Sequence, residues 1–195
     1  SSSVYGESKK FPLKETQKLK PINIYALSKK NNEEIAEIYA SKYKTKFFGL
    51  RFFTVFGEFG RPDMFFFKLL FTAFNQTKLY LNNSGDHYRD FTYIKDVTKI
   101  LKKLIYIKTN NNFYILNVCS SRPIYLKKLL DISKKYLNRI NVINVPAHPA
   151  DVYKTHGSNL KLLKLINNIK FTNLNIAIKN TISSYKKFKI YKQKN

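Results

Sequence analysis

Tryptophan is missing from this 195-residue chain, and cysteine and methionine each occur once. One thiol, Cys119, rules out an internal disulfide and any cysteine-rich zinc module, and it suits a reducing cytoplasm. Glycine is scarce as well. The six glycines, at positions 6, 49, 57, 60, 85 and 157, are spaced too widely for a G-x-G-x-x-G or G-x-x-G-x-x-G phosphate turn. No apolar run approaches the roughly 18 residues of a membrane span. The richest stretch, 64–74, is broken by Lys68 and Thr72.

Negative charge is the other shortage: 12 acidic residues stand against 36 basic ones, a formal net charge of +24. Such a balance raises the possibility of a nucleic-acid partner. The basic residues are mostly lysines spread along the whole chain, however, without an arginine cluster, a zinc-ligand set or a ribonucleoprotein aromatic motif. The charge therefore predicts general adhesion to polyanions and no specific nucleic-acid partner. His87, His148 and His156 are scattered and predict no metal site. Asp63 and Asp90 do not make a defensible glycosidase pair.

What is present is a 44% hydrophobic chain, enough for one sizeable core. Residues 1–6 read as a strand end, 7–20 as a lysine-rich loop, and 21–43 as a helix with Ile35, Ile38 and Tyr39 on its dry face. An apolar run at 47–53 predicts a parallel strand covered on both faces. Further helices are expected at 65–75, 96–106 and 126–137, strands at 79–81 and 113–118, and two lysine-rich helices after position 159. The Phe65-Phe66-Phe67 run reads as core, not as a stacking platform. Alternation of single strands with helices gives an α/β fold with parallel pairing.

One spacing carries chemistry. In Tyr25-Ala26-Leu27-Ser28-Lys29 a phenol and an ammonium lie one helical turn apart on one face. A phenol, with a pKa of about 10, is a poor base at neutral pH, and a fixed cation nearby favours its phenolate. A serine hydroxyl from a neighbouring strand end would complete a relay to a substrate alcohol.

These residues sit inside a longer series: Ser1-Ser2-Ser3-Val4-Tyr5-Gly6, Leu50-Arg51-Phe52-Phe53-Thr54-Val55-Phe56-Gly57, Gly60-Arg61-Pro62-Asp63-Met64, Arg89-Asp90-Phe91-Thr92-Tyr93-Ile94, Asn117 to Pro123, and Asp151-Val152-x-x-Thr155. In order and content the series resembles the extended short-chain dehydrogenase/reductases of the NAD-dependent nucleotide-sugar epimerase/dehydratase family, most of all the UDP-glucuronate 4-epimerases. The resemblance implies 4-epimerisation of UDP-glucuronate to UDP-galacturonate with tightly held NAD, in a polysaccharide pathway. It implies Tyr25, Lys29 and Ser1 as catalytic residues, and Tyr25, Lys29 and Phe53 as cofactor contacts. It also implies Ser2, Ser3, Thr54, Arg61, Leu79, Leu81, Arg89 and Asp151 as substrate contacts. Thr54 and Arg61 would grip the hexuronate carboxylate, Leu79 and Leu81 would line the uracil, and Arg89 and Asp151 would meet the diphosphate and ribose. Arg89 beside Asp90 also reads as a surface ion pair. A homodimer through the Tyr25–Lys29 helix is implied too.

Departures from the family pattern are Cys119 for a usual Gly, His148 for Gln or Arg, and Ser158 for Asp. With the Gly-rich turn missing and no initiator Met, the expectation is a C-terminal fragment, inactive alone. It would comprise the C-terminal part of a Rossmann domain at 1–59, a substrate-binding segment at 60–87, a return to the Rossmann domain at 88–118, and a substrate-binding α/β domain at 119–195.

Overall fold

The computed structural model describes residues 1–137, 139–147 and 152–188. Its elements are a 3₁₀ turn (Ser2–Tyr5), α1 (Ile24–Tyr43), β1 (Phe47–Phe52), β2 (Thr54–Phe56), α2 (Phe65–Asn75), β3 (Lys78–Asn82), β4 (Tyr88–Tyr93), α3 (Ile94–Tyr106), β5 (Phe113–Val118), β6 (Pro123–Tyr125), α4 (Leu126–Lys134), β7 (Asn141–Val145), α5 (Leu160–Leu165) and α6 (Leu174–Phe188). No helix among them is long and apolar enough to cross a membrane.

Three parallel pairings organise the chain. β1 runs beside β5 with Arg51 opposite Asn117, β2 beside β4 with Thr54 opposite Phe91, and β3 beside β7. β6 adds an antiparallel strand to the far edge of β4. Between β1 and β2 the chain changes partner. The Phe53 amide still donates to Val118 of β5, and one residue later Thr54 is in register with β4. That step leaves Phe53 and Thr54 where the two parallel pairs meet.

Apolar packing follows the pairings. The largest cluster joins α2 (Phe66, Leu69, Leu70), β3 (Leu79, Leu81), α4 (Leu129, Leu130) and α6 (Ile178, Tyr185). Phe66 is buried, while Phe65 and Phe67 pack against it half-buried, so the aromatic run is core. A second cluster sets Val97, Ile100 and Leu104 of α3 on Leu116 and Val118 of β5 and on Leu162 of α5. A small third one gathers Val4, Tyr5, Leu13, Phe53 and Cys119. Each fully buried Leu contributes about 1.5–3 kcal/mol.

Several expectations need correcting. Residues 1–6 are no strand end: the Ser1 hydroxyl accepts from the Ser3 amide and starts a 3₁₀ turn that closes at Gly6. α1 starts at Ile24 and not at 21, because the Asn23 carboxamide accepts from the Ala26 amide at 2.8 Å and fixes the cap there. β1 is half-buried over most of its length, not covered on both faces; β5 is its only strand neighbour among the described residues, and only Arg51 is buried. β2, β4, β6 and β7 were not expected.

The largest correction concerns α1. Ile35, Ile38 and Tyr39, the expected dry face, are more than half exposed, as is Ile24. The inward side carries Ala26, Ala40 and Glu33. Glu33 turns inward because Arg51, only 4% exposed, waits there. Nε and Nη2 of Arg51 donate to both Glu33 oxygens at 2.7–3.3 Å. Nη1 donates to the Tyr5 hydroxyl at 2.9 Å and the Glu15 carbonyl at 3.3 Å. Tyr5 in turn donates to Asn117 at 2.7 Å, and the Asn117 amide donates to the Glu15 carboxylate. A guanidinium this deep is tolerated only when paired and fully hydrogen-bonded.

Removing Glu33 would strand that cation. Glu33→Ala should lower the free energy of unfolding by about 3–5 kcal/mol, whereas Ile38→Ser on the exposed side of α1 should stay within about 0.5 kcal/mol. Urea titrations of the two variants check this; equal losses would refute the assignment of the inward face.

Candidate active site

α1 is held at one rotation by Glu33, and Tyr25, Lys29 and Glu33 fall at i, i+4 and i+8 on one face. Tyr25 and Lys29 are therefore aimed at the serine turn and the β1–β2 step. The Lys29 ammonium lies over the Tyr25 ring, 5.5 Å from its centroid. Ser1 and Ser3 hydroxyls are hydrogen-bonded to each other at 2.8 Å.

These groups line one cavity of about 910 Å³. Its wall includes Ser1, Ser2, Ser3, Tyr25, Lys29, Phe53, Thr54 and Arg61, all eight expected near the chemistry. A second wall is the turn after β2. There Gly57 has φ +144°, and a side chain would meet Ile94 at 2.3 Å. Arg61 follows on this turn, largely exposed, with its guanidinium gripping both oxygens of Asp63. That contact and its charge hold the Arg61 pKa above its ordinary value and the Asp63 pKa below its own. The Glu58 carboxylate accepts from Tyr93 at 2.7 Å and pairs with Lys95 at 3.0 Å. Burial works against its charge, but these partners hold its pKa below the usual value.

The other expected contacts lie elsewhere. Leu79 and Leu81 are buried in the large core cluster. Arg89 Nη1 donates to the carbonyls of Tyr88 and Tyr153, outside the cavity lining. Asp90 is not its surface partner, because Asp90 is fully buried with the rest of the C-terminal part of β4, Phe91, Thr92 and Tyr93. Asp151 and His148 lie outside the described residues.

The third wall is residues 152–158, which include the lining residues Val152, Lys154 and Thr155. It is pinned to the body by the buried Asp90. That carboxylate accepts from the Ser120 hydroxyl at 2.8 Å and the Gly157 amide at 3.1 Å, and the Asp90 amide donates to Thr155 Oγ1. Gly157 is needed because a Cβ there would stand 2.4 Å from Phe53 and 2.7 Å from Cys119 Sγ. Cys119 itself is a buried free thiol whose pKa burial raises far above the usual range. Lys154 and Glu58 are lining residues that the sequence reading passes over, Lys154 as a spacer between Val152 and Thr155. Their neighbours in the motifs were the available signal.

A phenol–ammonium pair, hydroxyls and cations around one cavity suit proton transfer at a substrate alcohol. Comparison with known proteins decides the family. The model of the NAD dependent epimerase/dehydratase family matches residues 1–119. The chain belongs to this family. An uncharacterised protein of Methanocaldococcus jannaschii is 39% identical over 168 residues, covering 85% of this chain and 51% of the relative. A probable UDP-glucuronate 4-epimerase of Rhizobium meliloti is 30% identical over 177 residues, covering 81% and 52%. The chain thus spans about half the length of the curated relatives it matches. Among solved structures, the UDP-glucuronic acid 4-epimerase of Bacillus cereus in complex with UDP-glucuronic acid and NAD superposes with a TM-score of 0.89 at 23% identity, over 96% of this chain and 60% of that one. That likeness shows a Rossmann-type α/β fold. The family's cofactor is NAD. In this chain Tyr25, Lys29 and the buried Phe53 ring share the cavity lining, and the six glycines form no glycine-rich turn of the kind that holds a pyrophosphate.

Burial pushes the Asp90 pKa up to about 6, against the hydrogen bonds from Ser120 and Gly157. A carboxyl with a raised folded-state pKa contributes stability that is complete below its unfolded value near 4 and is lost as pH rises through about 6. About 3 kcal/mol should disappear across that window. Unfolding free energies measured from pH 4 to 7 should show this slope in the native chain and not in Asp90→Asn; parallel profiles would refute it.

Proposed function

We propose that this chain is the sugar-gripping and proton-transferring part of a nucleotide-sugar 4-epimerase, and that its substrate is UDP-glucuronate, converted to UDP-galacturonate. The observation that carries the reading is the shared cavity, which brings the Tyr25–Lys29 pair, the serine turn, Thr54 and Arg61 together. Tyr25 takes the proton from the sugar 4-hydroxyl and returns it, with Ser1 alongside and Lys29 stabilising the anionic phenol. NAD, when bound, supplies a hydride acceptor and donor at C4. Phe53 and Lys29 hold its nicotinamide end. Thr54 and Arg61 take the sugar carboxylate, where a planar fork and a hydroxyl match its oxygens.

At the nucleotide end the reading assigns Leu79 and Leu81 to the uracil, Arg89 to the diphosphate and Asp151 to the ribose. Residues 1–59 and 88–118 then belong to the Rossmann domain, and 60–87 and 119–195 to the substrate side. The exposed Ile35, Ile38 and Tyr39 of α1 support a homodimer through that helix. A buried free thiol fits work in a reducing cytoplasm. The competing reading within the family is a neutral-hexose epimerase or a dehydratase. A polyanion-binding remnant is the reading from outside it, and salt-dependent DNA binding without nucleotide-sugar binding would favour that one.

Joined to the N-terminal half of the Rhizobium relative, the chain should turn over UDP-glucuronate in preference to UDP-glucose. Arg61→Ala should erase most of that preference, and Tyr25→Phe should abolish turnover of both. Equal turnover of the two sugars before mutation would sink the carboxylate role. The 195 residues alone should neither bind NAD tightly in calorimetry nor epimerise.

A further inference from the structure

The cavity holds a cation that the family motif leaves unspecified. Lys154 sits in the third wall, half-buried, on a backbone fixed from both sides. Residue 154 bridges to Tyr88 in parallel, the Tyr88 amide donates to the Tyr153 carbonyl at 3.0 Å, and the Thr155 amide donates to the Tyr88 carbonyl at 3.1 Å. The Lys154 ammonium rests between two rings, 5.0 Å from the centroid of Phe11 and 5.9 Å from that of Tyr88. Ring faces orient an ammonium without neutralising it. Its field is felt next door, where burial first and the Lys154 charge second hold the His156 pKa below its ordinary value.

Two other cations in or beside the cavity differ in how they are occupied. Arg61 is engaged by Asp63, and Lys95, beside the cavity, is engaged by Glu58. Among the described residues no carboxylate pairs with Lys154. A pre-oriented, unneutralised ammonium facing a substrate cavity is built to take an anion.

We propose that Lys154 is a substrate-binding residue that takes an anionic oxygen of the nucleotide sugar, either the carboxylate of the sugar or a phosphoryl oxygen. The assignment rests on the nucleotide-sugar reading above. It adds a contact which that reading does not require, on the wall formed by residues 152–158.

The test is calorimetric titration of the chain joined to the N-terminal half of the Rhizobium relative with UDP-glucuronate, UDP-glucose and UDP, in the native form and as Lys154→Met and Lys154→Arg. Methionine keeps an apolar stem between the rings and removes the charge; arginine keeps the charge. Loss of a charge-assisted contact predicts a weakening of about tenfold or more in Lys154→Met. Restriction of the loss to UDP-glucuronate assigns the sugar carboxylate as the ligand, and a matching loss with all three ligands assigns the diphosphate. Lys154→Arg should bind within about threefold of the native chain, with unchanged circular dichroism for both variants. Native-like binding of all three ligands by Lys154→Met overturns the assignment and leaves the nucleotide-sugar reading standing. Loss in Lys154→Arg equal to that in Lys154→Met overturns it as well, because charge would then not be what matters. A joined native chain that binds none of the three overturns the nucleotide-sugar reading and the Lys154 role with it, an outcome distinct from native-like binding by Lys154→Met, which overturns the Lys154 role alone.

Discussion

A guanidinium enclosed by the protein sets the terms for everything around it. Taking Arg51 out of water costs several kcal/mol, and the cost is offset only if each donor finds a fixed acceptor. The acceptors come from distant parts of the chain: Glu33 on α1, the Tyr5 hydroxyl behind the serine turn, and the Glu15 carbonyl in the loop between them. Asn117 on β5 then joins Tyr5 and Glu15 and reaches the carbonyls of Leu13 and Ser158. One charge thereby ties the serine turn, the long loop, α1, the β1–β5 pair and residues 152–158 into a single arrangement. The cavity sits at the junction of those same pieces, so the aim of Tyr25 and Lys29 depends on an ion pair eight and four residues further along their helix.

How much of this could be read from the sequence depends on which physical signal each part leaves. α2 and β5 were expected at the residues where they occur, because dense apolar runs there end at turn-forming residues. α3 starts two residues earlier than expected, with no side-chain cap to mark the place, and α4 ends three residues earlier, where the Lys135, Tyr136 and Leu137 amides turn back to the carbonyls of Ile132 and Ser133. β2 and β6 are three residues each, too short for any period to show. β4 hides because Arg89 and Asp90 interrupt its apolar pattern, and Asp90 is inside only because Ser120 and Gly157 meet it there. α1 failed for a related reason. Counting apolar residues locates a face that wants cover, whereas the face that received it was chosen by a carboxylate.

The candidate site divides along the same line. Ser1, Ser2, Ser3, Tyr25, Lys29, Phe53, Thr54 and Arg61 were recognisable as motif residues, and the fold brings all eight to one wall system. Leu79, Leu81 and Arg89 were recognisable in the same way but stand outside that cavity, in the core and on the outer strand pair. Motif order specifies identity, and the meeting of side chains depends on pairings such as Thr54 with Phe91, which no local pattern encodes. Lys154 is the converse case. As a lysine among 36 basic residues its own identity carries no signal beyond its place between Val152 and Thr155, and the two rings and the pinned backbone single it out.

That contrast bears on how so basic a chain can select a ligand. A surplus of 24 positive charges spread over the surface attracts any anion, and at physiological salt its field fades within about 8 Å. Discrimination has to come from cations that are fixed in place at the cavity, not from the diffuse surface charge. Asp63 orients Arg61 in the cavity wall and Glu58 pairs with Lys95 beside it, while Lys29 over Tyr25 and Lys154 between Phe11 and Tyr88 are held by rings. Aromatic faces fix an ammonium at the cost of little of its charge, and a carboxylate fixes a cation by sharing it. The cavity uses both devices. The two ring-held ammoniums come from α1 and from residues 152–158, so an anionic substrate meeting both would be oriented rather than merely attracted.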